Sequence, residues 1–289
     1  LLMTECVKTH DSATLDLPYP RLAEGRFSSC AVLTDDALNA DFGVRICFTQ
    51  RTGGESEPPY DSLNLGDHVQ DDPECVGLNR RRLFCAFGTR EDAVIVPKQV
   101  HGDAIVACKN RSDYAHAVLR AQNGADGVIV SCDEVGAMLC FADCAPVIVV
   151  SPRRTFAVVH AGWRGVMARI AQSAVKRVCE MDGIGPSCLN VYIGPHIHAC
   201  HFEVGEDLAR RFSDEFGSHV LVDDCHVSLS AALRSGLISV GVDERRIADA
   251  GVCTVCDGGK RYFSYRASGG RCGRHAAFAV RCGNGKEGL

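Results

Sequence analysis

Three short stretches each end an apolar run with a residue able to hold a metal. They are Gln99-Val100-His101-Gly102, Ala142-Asp143-Cys144-Ala145-Pro146 and His160-Ala161-Gly162-Trp163. Each lies beside a chain-reversing Gly or Pro, and loop positions on a rigid sheet are where sites are built. Two imidazoles and a thiolate suit zinc or copper. Three protein ligands leave a fourth tetrahedral position for water or substrate, the pattern of a catalytic centre and not of a structural one. Asp143, beside Cys144, is placed to orient a ligand or to act as a general base. Taken singly, each of these residues is more often a satisfied core group, so the expectation rests on the set.

The elements that must position these residues are legible in outline. Short β-rich runs follow one another: AVIVPKQVHG, DAIVAC, DGVIVSC, GAMLCFA, PVIVVS and FAVVHAG. Several are apolar without alternation, as expected of strands covered on both faces. Pro73 opens a helix through about Phe87, with Pro in the first turn. The Gly-, Pro-, Ser- and Asp-rich segment before it, Thr52 to Asp72, reads as a long ordered loop. Trp163 to Met181 reads as one amphipathic helix, with Trp163, Val166, Met167, Ile170, Ala174 and Val178 on one stripe. A strand at NVYIGP, helices at Gly205 to Phe216 and from near Ser228, and strands around Tyr262 to Tyr265 and Ala276 to Val280 complete the pattern. Interspersed strands and helices predict a single α/β domain over residues 1–289, a mixed sheet sandwiched by helices.

Composition narrows the function classes. The chain has 289 residues and a net charge of −5, with no Lys/Arg-rich run, which argues against nucleic acid as a partner. The most apolar stretch, Gly136 to Val150, is interrupted by Asp143 and too short to span a bilayer. No charged n-region with an apolar core opens the chain, so no signal peptide and a cytoplasmic location are expected. Seventeen cysteines is an odd number, and many sit among apolar neighbours, as in RRLFCAFG and AMLCFA. Most are therefore expected to be reduced and buried.

From residue 49 onward, TQRTGG, YDSLNLGDHVQDDP, NRRRL, KQVHGD, ADCAPV, VVHAGWRG, IGPHI, FEVGEDL, CT and YFSYRASGGR occur in order. This ladder, spanning about residues 45 to 280, resembles the YfiH-like laccase-domain family, formerly called multicopper polyphenol oxidases and now regarded as purine nucleoside phosphorylases. The resemblance implies a fold related to toxin-type cysteine hydrolases and a zinc site of His101, Cys144 and His160. It also implies phosphorolysis of adenosine, inosine, guanosine and methylthioadenosine, with accessory adenosine deamination. Phosphorolysis needs cations to collect phosphate, and Arg51, Arg164 and Arg266 lie within motif loops, Arg51 foremost. Asn64 and Tyr265 are candidates for contact with ribose or base. The expected partners are purine nucleosides and phosphate, with no membrane, and the expected state is a monomer. Departures from the family pattern, such as Gln50-Arg51 and Gly269-Gly270-Arg271-Cys272, bear on substrate preference and leave the metal residues untouched.

Other signals are weaker. His196, His198, Cys200 and His201 form a dense cluster, but it holds a single His-X-His pair where laccases use several, and it reads as a loop near the pocket mouth. Cys253-Thr-Val-Cys256 lacks the βαβ context of a redox pair. The Gly-rich TGG and SGGRCGR lack the strand–loop–helix context of a phosphate-binding fingerprint. The alternatives are thus a Cys144/His160 cysteine hydrolase, a copper polyphenol oxidase with Cu2+ in place of Zn2+, and a binding module without turnover.

Overall fold

A computed structural model describes residues 16–282. In chain order the strands are β1 (Ala23–Phe27), β2 (Cys30–Thr34), β3 (Val44–Thr49), β4 (Val94–Ile95), β5 (Ile105–Cys108), β6 (Gly127–Val130), β7 (Gly136–Phe141), β8 (Ala145–Val150), β9 (Phe156–Ala161), β10 (Asn190–Ile193), β11 (Ile247–Asp249) and β12 (His275–Arg281). The α-helices are α1 (Asp36–Phe42), α2 (Pro73–Ala86), α3 (Tyr114–Gln122), α4 (Trp163–Met167), α5 (Ile170–Asp182), α6 (Glu206–Phe216) and α7 (Leu229–Ser239).

The expectation of one mixed sheet is corrected: the strands form two six-stranded sheets, ordered β1-β2-β3-β12-β7-β4 and β11-β10-β8-β9-β6-β5. Both are mixed, with β4–β7, β5–β6 and β10–β11 parallel and the remaining pairs antiparallel. Alternating side chains decide the layering. Leu139, Phe141, Ala277 and Ala279 of the first sheet meet Val128, Val130, Ile148 and Val158 of the second in one buried core. The opposite face of the first sheet, with Met138 and Phe278, packs on Leu83 and Phe84 of α2. Val147, Val149 and Ile129 of the second sheet pack on Val175, Phe212 and Leu233 of α5, α6 and α7. The result is an α/β/β/α sandwich. β6 to β9 are buried along their whole lengths because both faces are covered, which is why their sequences do not alternate.

Two expected elements differ. The helix foreseen from Trp163 to Met181 breaks at Arg169, which takes a left-handed φ of 58° and whose guanidinium bonds Glu215 on α6. The apolar stripe runs through the break, so periodicity alone does not reveal it. No strand forms at Tyr262 to Tyr265. There the Asp257 carboxylate accepts the backbone N–H groups of Arg261 (2.6 Å) and Tyr262 (3.1 Å), so a side chain satisfies this backbone where a ladder was expected.

The loop from Thr52 to Asp72 is ordered by buried Asn79 of α2, whose amide donates to Ser56, to the Ser62 carbonyl and to the Asn64 carbonyl. No disulfide joins the described cysteines. Six of those sixteen are buried, fewer than the majority expected, and Cys85 lies exposed on α2. No helix among the described residues is long and apolar enough to cross a membrane.

Candidate active site

The sheets exchange the chain at one end of the sandwich, and the predicted metal residues lie there. His101 sits on the crossover from β4 in the first sheet to β5 in the second. Cys144 ends the three-residue crossover from β7 to β8. His160 lies on β9, paired with Pro146 of β8, one strand away from Cys144. Their donor atoms all fall within 4.8 Å of one another, and the two imidazole rings meet edge to face with centroids 4.8 Å apart.

Local structure holds them there. Gln99 clamps the Cys140 backbone with both ends of its amide, donating to the carbonyl (2.9 Å) and accepting the N–H (2.8 Å), which ties the His101 loop to β7. His101 and Asp143 hold positive φ values of 58° and 89°, conformations that cost on the order of 1–3 kcal/mol each and collect at functional sites. Asp126, fully buried, accepts the N–H groups of Val100, His101 and Gly102 and bonds His160 Nδ1 at 2.7 Å. This carboxylate fixes both the His101 loop and the His160 ring.

The sequence reading placed the orienting carboxylate at Asp143. The structure has that contact at Asp126, while Asp143 accepts from Thr254 Oγ1 (2.6 Å) and the Arg266 N–H (2.7 Å). Asp126 is not among the residues singled out from the sequence. The available signal was a charge directly preceding a wholly apolar strand.

Electrostatics favour a deprotonated sulfur. Burial works against the Cys144 thiolate, but the charge of His160 and hydrogen bonds from His101 and His160 outweigh it and bring the thiol down to about 6. Burial likewise opposes His160 protonation, yet Cys144 and Asp126 hold it up to about 9. Asp126 stays below the usual carboxylate range, because His160 and backbone N–H groups outweigh its burial.

The donor set fits a metal. Two imidazoles and a low-pKa thiolate are zinc or copper chemistry. A Cβ added at Gly162 would stand 3.0 Å from Cys144 Sγ, 3.5 Å from His101 Cδ2 and 3.8 Å from His160 Cε1, so this glycine keeps open the space between the three donor residues.

The triangle lies on the wall of a cavity of about 440 Å³, within the usual range for small-molecule sites. Asp143, Phe141, Trp163, Ile197, Phe202, Tyr265 and Arg266 line it, together with His68 and Arg274, which the sequence reading did not select. Tyr265 is exposed at its rim, with the Arg274 guanidinium 5.7 Å from its ring centre. The other predicted substrate residues lie off this wall. Arg51 donates to the Asp61 and Gly259 carbonyls, pairs with the Asp61 carboxylate at 3.0 Å and stacks on Phe263. Asn64 is buried and closes a turn with Gly66, Asp71 and the Arg274 N–H. Arg164 lies over the Trp163 ring. His196 spends both ring nitrogens on the Gly194 carbonyl and Ser230.

Fold and site together define an α/β/β/α protein with a metal-type donor triangle in a small-molecule cavity. The chain belongs to the family described as multi-copper polyphenol oxidoreductase laccase, which it matches over residues 45–282. It is 34% identical over 251 residues to the purine nucleoside phosphorylase YlmD of Geobacillus stearothermophilus, covering 83% of this chain and 90% of that one. It is 33% identical over 238 residues to a purine nucleoside phosphorylase of Deinococcus radiodurans, covering 81% and 88%. Among solved structures, the Bacillus licheniformis hypothetical protein YfiH superposes with a TM-score of 0.79 at 28% identity, over 88% of this chain and 98% of that one. The Geobacillus YlmD structure gives 0.77 at 29%, over 93% and 100%.

Proposed function

We propose that this chain is a single-domain purine nucleoside phosphorylase that holds one zinc ion at His101, Cys144 and His160, with adenosine deamination as a side activity. The observation that carries this reading is the convergence of that donor triangle with His68, Arg266 and Arg274 on one cavity, together with relatives named purine nucleoside phosphorylases. A zinc ion held there supplies a Lewis acid at the cavity wall. Phosphorolysis sets an anion against the anomeric carbon of a nucleoside, and the Arg266 and Arg274 guanidiniums, with the His68 ring beside them, are placed to collect it. Phe141, Phe202 and Tyr265 offer flat apolar faces to the purine. Asp143 lines the cavity, held by Thr254 and the Arg266 N–H, and is placed to accept a proton from the attacking species. The purified protein should convert inosine to hypoxanthine and ribose 1-phosphate only when phosphate is supplied, as read by chromatography. Free base forming equally without phosphate would overturn this reading.

One observation favours a second reading. Cys144, His160 and Asp126 are arranged as a nucleophile, a base and its orienter, the geometry of a cysteine hydrolase. His101 separates the two, since only the metal reading needs it as a ligand: His101→Ala should abolish phosphorolysis. The thiol gives a pH test. In chelator-treated protein, alkylation of Cys144 by iodoacetamide should be half-maximal near pH 6, because its thiolate persists above that pH and is lost below it. Zinc should block alkylation across the range, whereas a catalytic thiol would stay reactive with zinc present.

A further inference from the structure

We propose a second, structural zinc site formed by Cys200, His201, Cys253 and Cys256. The sequence keeps these residues apart, as a histidine-rich loop and a lone Cys-X-X-Cys pair, and the fold brings them together. Cys200 Sγ lies 3.7 Å from Cys253 Sγ and 3.5 Å from Cys256 Sγ. His201 Nδ1 lies 3.2, 3.9 and 3.5 Å from Cys200, Cys253 and Cys256 respectively. Around a tetrahedral zinc with Zn–S near 2.3 Å and Zn–N near 2.0 Å, ligand atoms stand about 3.8 Å apart for two sulfurs and about 3.5 Å apart for sulfur and nitrogen. The sulfur–nitrogen separations bracket their edge, and the two sulfur–sulfur separations fall slightly short of theirs. A disulfide needs about 2.05 Å between sulfurs, and these separations are far longer.

The surroundings are built to hold such a centre. The chain beside Cys253 runs against His196, with the His196 N–H on the Val252 carbonyl and the Thr254 N–H on the His196 carbonyl. The His198 N–H points at Cys253 Sγ at 3.4 Å, a bond that supports a thiolate. Four protein donors leave no open position, so this is a structural centre and not a second catalytic one. Its place shows what it stabilises. Thr254, between the two cysteines of the pair, bonds Asp143, and Arg266 donates to the His201 and Glu203 carbonyls. The cluster thus clips together two loops behind the wall that carries Asp143 and Arg266.

The test uses the full chain expressed with cobalt in place of zinc. In a Cys144→Ala background the triangle retains no thiolate, so thiolate-to-cobalt charge transfer must arise elsewhere. We expect a tetrahedral cobalt spectrum with charge transfer about threefold that of a single-thiolate site, abolished or strongly reduced by adding Cys256→Ser. Zinc in the unsubstituted protein should be about two per chain by elemental analysis, falling to about one in Cys253→Ser/Cys256→Ser. Absence of charge transfer in Cys144→Ala would overturn the proposal, and that measurement stands even if the double variant fails to fold. A disulfide within the cluster by mass spectrometry, or copper recovered in place of zinc, would overturn it as well.

Discussion

Asp126 gathers three backbone N–H groups and one imidazole on a single carboxylate. In Asp126→Asn the two partners of one carboxylate oxygen must face an amide NH2, donor against donor, in a fully buried place. Such outer partners of a ligating histidine are typically worth 10–100-fold in metal affinity. We expect zinc affinity to fall by about that factor in competition with a chromophoric chelator. Unchanged affinity would mean that the carboxylate only braces the loop. Arg51 and Arg274 make a paired prediction. Arg51→Ala removes an ion pair and two carbonyl bonds away from the cavity, so it should lower the urea midpoint and leave the KM for phosphate unchanged. Arg274→Ala should raise that KM about tenfold or more, as expected for losing a charged hydrogen bond. The reverse pattern would return the phosphate role to Arg51.

At the scale of elements, the turn from β9 into α4 shows how local backbone serves the site. Gly162 has φ −65°, which alanine adopts freely, so Gly162→Ala adds no backbone strain. Its methyl would, however, stand 3.0 Å from Cys144 Sγ. The expected outcome is a folded protein with an unchanged circular dichroism spectrum and markedly reduced zinc content. Full zinc occupancy would show that the ligands give way. The same elements explain what was legible in the sequence. β6 to β9 could be read because burial on both faces writes itself as unbroken apolar runs, and His101, Cys144 and His160 because each ends such a run beside Gly or Pro. Two kinds of feature were not legible. Partners set by tertiary contact leave no local mark: Arg51 stood out by its motif, while one carbonyl it binds lies 208 residues away. Local chemistry that substitutes for secondary structure is equally hidden, as where Asp257 takes the N–H groups of a segment whose composition suits a strand.

At the scale of the whole molecule, the site depends on how the two sheets pack, because His101 and Cys144 both lie on segments that pass between them. Leu139 of β7 is buried in the core between the sheets, and Leu83 of α2 is buried in the outer layer. Both side chains are fully buried, so Leu139→Ala and Leu83→Ala should each cost about 2–5 kcal/mol in urea unfolding. Their effect on the site should differ. A void between the sheets lets β7 shift relative to β8 and β9, moving Cys144 away from His160. A void under α2 leaves the crossovers where they are. Zinc affinity measured under native conditions should therefore drop severalfold in Leu139→Ala and stay unchanged in Leu83→Ala at matched loss of stability. Equal affinities in the two variants would mean that the short crossovers and the Asp126 bonds hold the ligands without help from the inter-sheet core.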